Sequence, residues 1–466
     1  MKTTVARLRY VLQVLEPAVN RKHPTLAILQ NVLVGQGRAY ATKLDVAVSV
    51  EMPEATDDPM VLPHSQLLSL LKNIPGPTHL TLHREGQMLK VVAGAATAEF
   101  PAPGEVADFP PFPSLKPAGE GQVDADLFLK TATALTKYAA TEASRPTLQC
   151  VCVTLGAPLE MATADGFRLA WQTIPMALPT LGSPPIPFTQ LLLPTEAVHA
   201  LARVWKLMEK TASTDGQSAP DGSDPTKGDG KFRLAMSAVA KRLATVRFTQ
   251  DALSFEHGAV TIRVQLNAEA FPDYHQLIPT DLPLKVSFDA EQALRVLKSV
   301  AAVAADGSGI VRLQWAGERL VFSAHAEETG SISGDVRAHI QGGEGRIAFN
   351  HKYLMDSLAG KLGPVLMETS GPSVAARFFH AGSPDLVQMP MFVQWEGSPT
   401  TEPADEEVPP PRVTGNCSFC GRDLLNDEQC ESDDCPGQAD PSAAAPPEEP
   451  APVAKPRARA RRTRAG

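Results

Sequence analysis

Asp108-Phe109-Pro110-Pro111 is echoed later in the chain by Phe271-Pro272-Asp273-Tyr274, and each phrase closes a stretch that reads helix, strands, helix, strands. Internal repetition outranks any single motif, because a repeated unit fixes the architecture before its details are known. Upstream of the first phrase, Leu8, Val11, Leu12 and Leu15 recur at helical spacing. The apolar segments 24–34 and 40–51 then read as strands. A second helix is predicted over 65–73 with Leu67, Leu70 and Leu71 inward, followed by strands at 79–84 and 88–93 turned by Glu85-Gly86. The middle copy reads as a helix over 126–138, strands from Pro146-Thr147-Leu148, and a helix over 195–209 with the stripe Val198, Leu201, Trp205 and Met208. The last copy runs from a helix at 290–300 through strands at 310–315 and 319–324 to a helix at 352–362, ending near Met391. Three α+β domains are therefore expected, over 1–118, 119–281 and 282–396. Residues 211–231 are rich in Gly, Ser, Asp and Pro, lack periodicity, and read as a mobile surface insertion.

The length of 466 residues suits three domains at roughly 100 to 200 residues each. A net charge of −9 argues against a protein that grips nucleic acid over its whole surface, since phosphates are bound by Lys and Arg, so any DNA site must be a local basic stripe. Four of the six cysteines crowd between Cys417 and Cys435 rather than spreading as a secreted framework, which points to a reducing, cytoplasmic setting. Arg7, Arg9, Gln13 and Glu16 interrupt any apolar run at the start, so neither a signal peptide nor a membrane span is predicted. The chain carries no Gly-x-x-x-x-Gly-Lys-Ser/Thr, His-Glu-x-x-His or Gly-x-Ser-x-Gly phrase, and Lys227-Gly228-Asp229-Gly230-Lys231 lacks the required hydroxyl. Cys150 and Cys152 alternate along a strand and read as buried small hydrophobes, not nucleophiles. The expectation is a non-catalytic protein.

Five phrases in order carry a family resemblance: the run from Pro24 to Leu33, Ala164-Asp165-Gly166-Phe167-Arg168-Leu169-Ala170, Phe271-Pro272-Asp273-Tyr274, Phe349-Asn350-His351-Lys352-Tyr353-Leu354, and Met389-Pro390-Met391. From Met1 to about Phe392 the chain resembles the β subunit of bacterial DNA polymerase III, the sliding clamp. The resemblance implies a head-to-tail homodimeric ring whose six domains place helices inside and antiparallel sheets outside, around duplex DNA of any sequence. It implies tethering of the polymerase catalytic subunit, the clamp loader and other replication and repair proteins. By the same resemblance a partner-peptide pocket involves Leu148, Arg168, Leu169, Pro272, Leu277, Val387, Met389 and Met391, and methionine there suits a surface that accepts several peptides. The plain alternative, that these are core residues, weighs equally for Leu148 and Leu169. The chain departs from the family at Ala164, where Thr is usual, and by continuing to Gly466.

A ring around DNA should carry basic residues on its helices, because the backbone is what a sequence-blind channel meets. Lys130 and Lys137 are seven apart, Arg203, Lys206 and Lys210 follow three-and-four spacing, and Arg295 with Lys298 repeats it. Lys72, and Lys22 with His23 in the preceding loop, are less patterned candidates. Any one of these reads more readily as a solvated helix face; the set, on an acidic protein, points to a channel.

The tail, 397–466, passes from an acidic, proline-rich linker through a cysteine cluster to a basic end at Lys455, Arg457, Arg459, Arg461, Arg462 and Arg464, and is largely disordered by composition. Cys417, Cys420, Cys430 and Cys435 are expected to hold a structural Zn2+ in a small knuckle, four thiolates closing a tetrahedral site; free thiols are the plain alternative. The basic end either touches DNA or is a solvated terminus. The competing functional reading is a zinc-dependent DNA-binding regulator on a clamp-like fold that closes no ring. A nucleic-acid enzyme would need clustered carboxylates or an open metal site, which the sequence does not offer.

Overall fold

One strand, a helix, four strands, a second helix and three strands make up each repeat. The computed structural model describes residues 1–20, 26–55, 58–179, 188–215, 242–395, 413–416 and 423–425. In the first repeat β1 (Lys2–Thr4) leads into α1 (Val5–Leu15), then β2 (Val32–Gly35), β3 (Arg38–Thr42), β4 (Val46–Glu51), β5 (Met60–Leu62), α2 (His64–Lys72), β6 (His79–Glu85), β7 (Met88–Ala93) and β8 (Ala96–Pro101). The second comprises β9 (Gly119–Asp124), α3 (Ala125–Leu135), β10 (Cys150–Thr154), β11 (Leu159–Ala164), β12 (Arg168–Ile174), β13 (Gln190–Pro194), α4 (Thr195–Asp215), β14 (Leu243–Phe248), β15 (Ala252–His257) and β16 (Val260–Gln265). The third comprises β17 (Leu284–Asp289), α5 (Ala290–Asp306), β18 (Ile310–Ala316), β19 (Arg319–Ala326), β20 (Gly330–Gln341), β21 (Gly345–Asn350), α6 (His351–Leu358), β22 (Pro364–Thr369), β23 (Ala376–Phe379) and β24 (Asp385–Gln388).

The repeat extends to its caps. The last residue of the opening strand supplies the oxygen that starts the following helix: Thr4 accepts from the Arg7 amide, Asp124 from Leu127 and Asp289 from Gln292. Such a cap satisfies a backbone donor that the helix cannot, and is worth about 1 kcal/mol. The helices bury one apolar stripe each, for instance Leu8, Leu12 and Leu15 of α1 or Ala293, Leu297 and Val300 of α5, against the sheets. They pack in pairs, α1 on α2, α3 on α4 and α5 on α6.

All strand pairings are antiparallel, and the sheets run across the repeat boundaries. The fourth strand of the first repeat pairs with the eighth of the second, with Val48 opposite Ile262. The fourth strand of the second pairs in the same way with the eighth of the third, with Leu169 opposite Val387. Each junction therefore joins a fourth strand to an eighth. The strands left over are β8, which pairs only with β7, and β20, whose Gly330–Arg337 part pairs only with β19 while its end also meets β17.

Local chemistry overrides the sequence reading in several places. Residues 27–30 form a 3-10 turn rather than strand, because the Asn31 side-chain amide donates to the Ala27 and Ile28 carbonyls and closes it; strand begins only at Val32. Residues 40–51 are two strands, and Pro146–Gln149 is another 3-10 turn. Helix α4 runs to Asp215, so the first residues of the expected insertion continue the helix; the rest of the insertion lies outside the described residues. Strand β8 was not anticipated, since Ala96-Thr97-Ala98-Glu99-Phe100-Pro101 buries none of its residues fully. A second unit, Gln394–Gly466, contributes among its described residues the strands β25 (Val413–Asn416) and β26 (Asp423–Leu425), paired with Asn416 opposite Asp423.

Candidate partner pocket and nucleic-acid face

The turn Ala164-Asp165-Gly166-Phe167-Arg168 is shaped by its own side chains. Asp165 accepts the amides of Phe167 and Arg168 at 2.9 and 3.0 Å, and Gly166 sits at φ +93°, where a Cβ would also meet the Arg145 guanidinium. Only glycine adopts that backbone without strain. The turn delivers Arg168 inward. Its Nε donates to Asp165 at 2.8 Å, one terminal nitrogen to Asp356 at 2.9 Å, the other to the Lys137 carbonyl at 2.9 Å, and its plane lies over Tyr353 and Tyr138. Arg168 is 8% exposed. It ties the 3-10 turn after α3, helix α6 and its own turn together beneath the surface, and its fork is committed to protein groups.

On the opposite face of the same strands, Leu169 and Val387 lie side by side, almost fully buried, with Cys152, Phe271 and Tyr274 in one apolar cluster and Leu148 packed at its margin. Desolvation pushes the Cys150 thiol to about 11 and that of Cys152 to about 12, so neither is a thiolate near neutrality. The Tyr274 hydroxyl, raised by burial, donates to Glu160. Around this floor the apolar groups are bare: Met389 is 49% exposed, Leu277 63%, and Pro272 is exposed as well. Met391 is half-buried, its amide bonded to the Ala348 carbonyl. The sequence-derived pocket residues thus divide into a buried floor (Leu169, Val387), an exposed rim (Pro272, Leu277, Met389), two intermediate positions (Leu148, Met391) and a buried tie (Arg168).

Two further apolar groups were missed. Phe167 is 54% exposed, its carbonyl accepts from the Met389 amide at 2.9 Å, and its ring lies 6.3 Å from that of Tyr353. Phe392 is 91% exposed. The available signal was an aromatic residue in the middle of a polar turn, which has no reason to be there unless something covers it.

Lys72, Lys130, Lys137, Arg203, Lys206, Lys210, Arg295 and Lys298 are all exposed on or beside the helices. They are not all equally available, as Arg203 pairs with Glu16. Lys22 and His23 lie outside the described residues, as do Cys417, Cys420, Cys430 and Cys435. Among the described residues no group of three or more His, Cys, Asp or Glu is placed to hold a metal, and no helix is long and apolar enough to cross a membrane.

Residues 275–388 match the family model for the DNA polymerase III beta subunit, C-terminal domain. The beta sliding clamp of Caulobacter vibrioides is 25% identical over 406 residues, covering 84% of this chain and 96% of the relative. The beta sliding clamp of Synechocystis is 27% identical over 205 residues, 44% of this chain and 46% of that one. In fold, the chain is similar to the DNA polymerase sliding clamp of Pseudomonas aeruginosa, with TM-score 0.70, 21% identity, and coverage of 84% of this chain and 99% of that chain. The Bacillus subtilis sliding clamp superposes with TM-score 0.68 at 16% identity over the same shares.

Proposed function

We infer that this chain belongs to the DNA polymerase III beta-subunit family and works as a sliding clamp, a processivity factor that encircles duplex DNA, holds a polymerase on it and itself catalyses nothing. The observation that carries the ring is the pair of leftover edges. Every internal junction joins a fourth strand to an eighth, and the chain ends with one free eighth strand, β8, and one free fourth strand, β20. A second copy completes the series by setting its β8 beside the first copy's β20, and the reverse. Such a head-to-tail contact either closes into a ring or runs on as a filament. Closure with two copies pairs both of these leftover edges, and six domains surround the hole. The regulator reading, which closes no ring, leaves both edges unexplained.

The exposed Lys and Arg on the helices supply backbone contacts without sequence preference. The apolar rim of Met389, Leu277 and Pro272 over the Leu169–Val387 floor takes short peptides of the polymerase catalytic subunit, clamp loader and other clamp-binding proteins. The native mass tests the assembly: a particle of about twice 49.7 kDa at micromolar concentration supports it, and a monomer refutes it.

The tail holds one structural Zn2+ through Cys417, Cys420, Cys430 and Cys435. In support, β25 and β26, which flank Cys417-Ser418-Phe419-Cys420-Gly421-Arg422 in sequence, pair antiparallel with one another. Four thiolates suit zinc, and its binding would order a segment too short for a core of its own. Under reducing conditions the purified protein should contain one zinc per chain, and replacing Cys417 and Cys420 by serine should abolish it; unchanged metal content would exclude this site.

A further inference from the structure

Domains two and three enclose a cleft of about 500 Å³ below the end of α3, lined by Lys130, Thr131, Lys137 and Tyr138 from one side and by Lys361 and His380 from the other. No Asp or Glu lines it. Lys361 forms its floor, is 7% exposed, and its Nζ has no hydrogen-bond partner among the described residues. The carboxylate whose charge reaches Lys361, Asp385, is itself hydrogen-bonded by Arg377 at 2.6 Å. His380 is also committed, its Nε2 bonded to the Leu362 carbonyl and its Nδ1 to the Ser383 hydroxyl, both at 2.9 Å. A buried ammonium is ordinarily paired, because leaving water without an acceptor is costly. The cleft therefore concentrates positive charge that no carboxylate in its lining offsets.

We propose that this cleft is a binding site for a phosphate oxyanion, gripped at its mouth by Lys130 and Lys137 and drawn in by the uncompensated charge of Lys361 beneath. Lys130 and Lys137 are exposed and can close on the anion, while the Lys361 amine acts through the low-dielectric wall and meets the anion directly if its side chain turns outward. Desolvation lowers the amine to about 8, so at neutral pH it still carries its charge, and an anion above it would raise that value again. The phosphate is either one of the threaded duplex or a free phosphoryl anion. Only the first identification rests on the sliding-clamp reading.

The test uses the full-length protein with inorganic pyrophosphate as the probe, followed by calorimetry and by the NMR titration of isotope-labelled lysines. Saturable binding, an upward move of the Lys361 titration on binding, and at least a tenfold loss of affinity in both Lys361→Met and Lys137→Met are expected. Lys285→Met, on a strand away from the cleft, should bind as the parent does. Methionine keeps the volume of the lysine stem, so the first variant should fold. Displacement of pyrophosphate by short duplex DNA, with a salt slope smaller by about 0.9 in Lys361→Met, assigns the site to a backbone phosphate. Pyrophosphate binding that DNA does not displace assigns it to a free anion and leaves the clamp reading untouched. Absence of saturable binding, or equal affinity in the parent and Lys361→Met, overturns the proposal.

Discussion

Met389 and Leu169 were indistinguishable as sequence, two apolar side chains assigned to one pocket, yet they sit on opposite sides of the boundary between core and surface. Leu169 is 3% exposed and packs against Val387, Phe271 and Tyr274, whereas Met389 is half in solvent. Truncating them should therefore separate binding from stability. Met389→Ala should weaken a clamp-binding peptide by about 1 to 3 kcal/mol with little change in thermal midpoint, because little packing is lost. Leu169→Ala should cost about 2 to 5 kcal/mol of stability through the cavity it leaves. Peptide titration and thermal denaturation of the two variants check this; equal destabilisation by both would place Met389 in the core. Arg168 belongs with Leu169, for its guanidinium holds Asp165, Asp356 and the Lys137 carbonyl and has no donor face turned outward that a peptide must use. Sequence could name these residues through resemblance but not sort them, since burial depends on which strand lies alongside.

At the scale of elements, amphipathic stripes made the helices legible: the reading of 65–73 falls within one residue at each end of His64–Lys72, and 126–138 covers α3 and the turn that follows it. Strands with clean alternation, such as Met88–Ala93, were equally plain. What failed was of two kinds. Short apolar runs closed by Asn31 or opened by Pro146 became 3-10 turns, because a side-chain amide or a missing N–H decides a four-residue segment more strongly than hydrophobicity does. Strand β8 was invisible for a more informative reason. It pairs on one side only, with β7, and buries none of its residues fully, so it lacks the buried face that gives a strand its alternation. Amide hydrogen exchange tests that account. Amides of Ala96–Phe100 and of Gly330–Arg337 that point away from β7 and β19 should be protected in the assembled protein and lose protection together on dilution. Rapid exchange at every concentration would mean that these edges are not paired.

For the molecule as a whole, an acidic chain that binds DNA needs topology to do what affinity does not. On the proposed function, with a net charge of −9 and exposed basic residues spaced along the helices, contacts with the duplex should be few and salt-sensitive, so that a ring can slide without dissociating. The threefold repeat was legible because the Phe-Pro phrases and helix stripes recur, while the leftover strands β8 and β20 became visible only in the strand order. The central claim is that DNA passes through a closed ring, and a duplex anchored at one end tests it without a loading enzyme. Protein is allowed to thread over the free end, the end is then blocked with a bulky group or left open, and the duplex is washed at high salt. Retention on blocked duplexes with loss from open ones is the predicted result; equal loss from both, or equal retention on both, would contradict it.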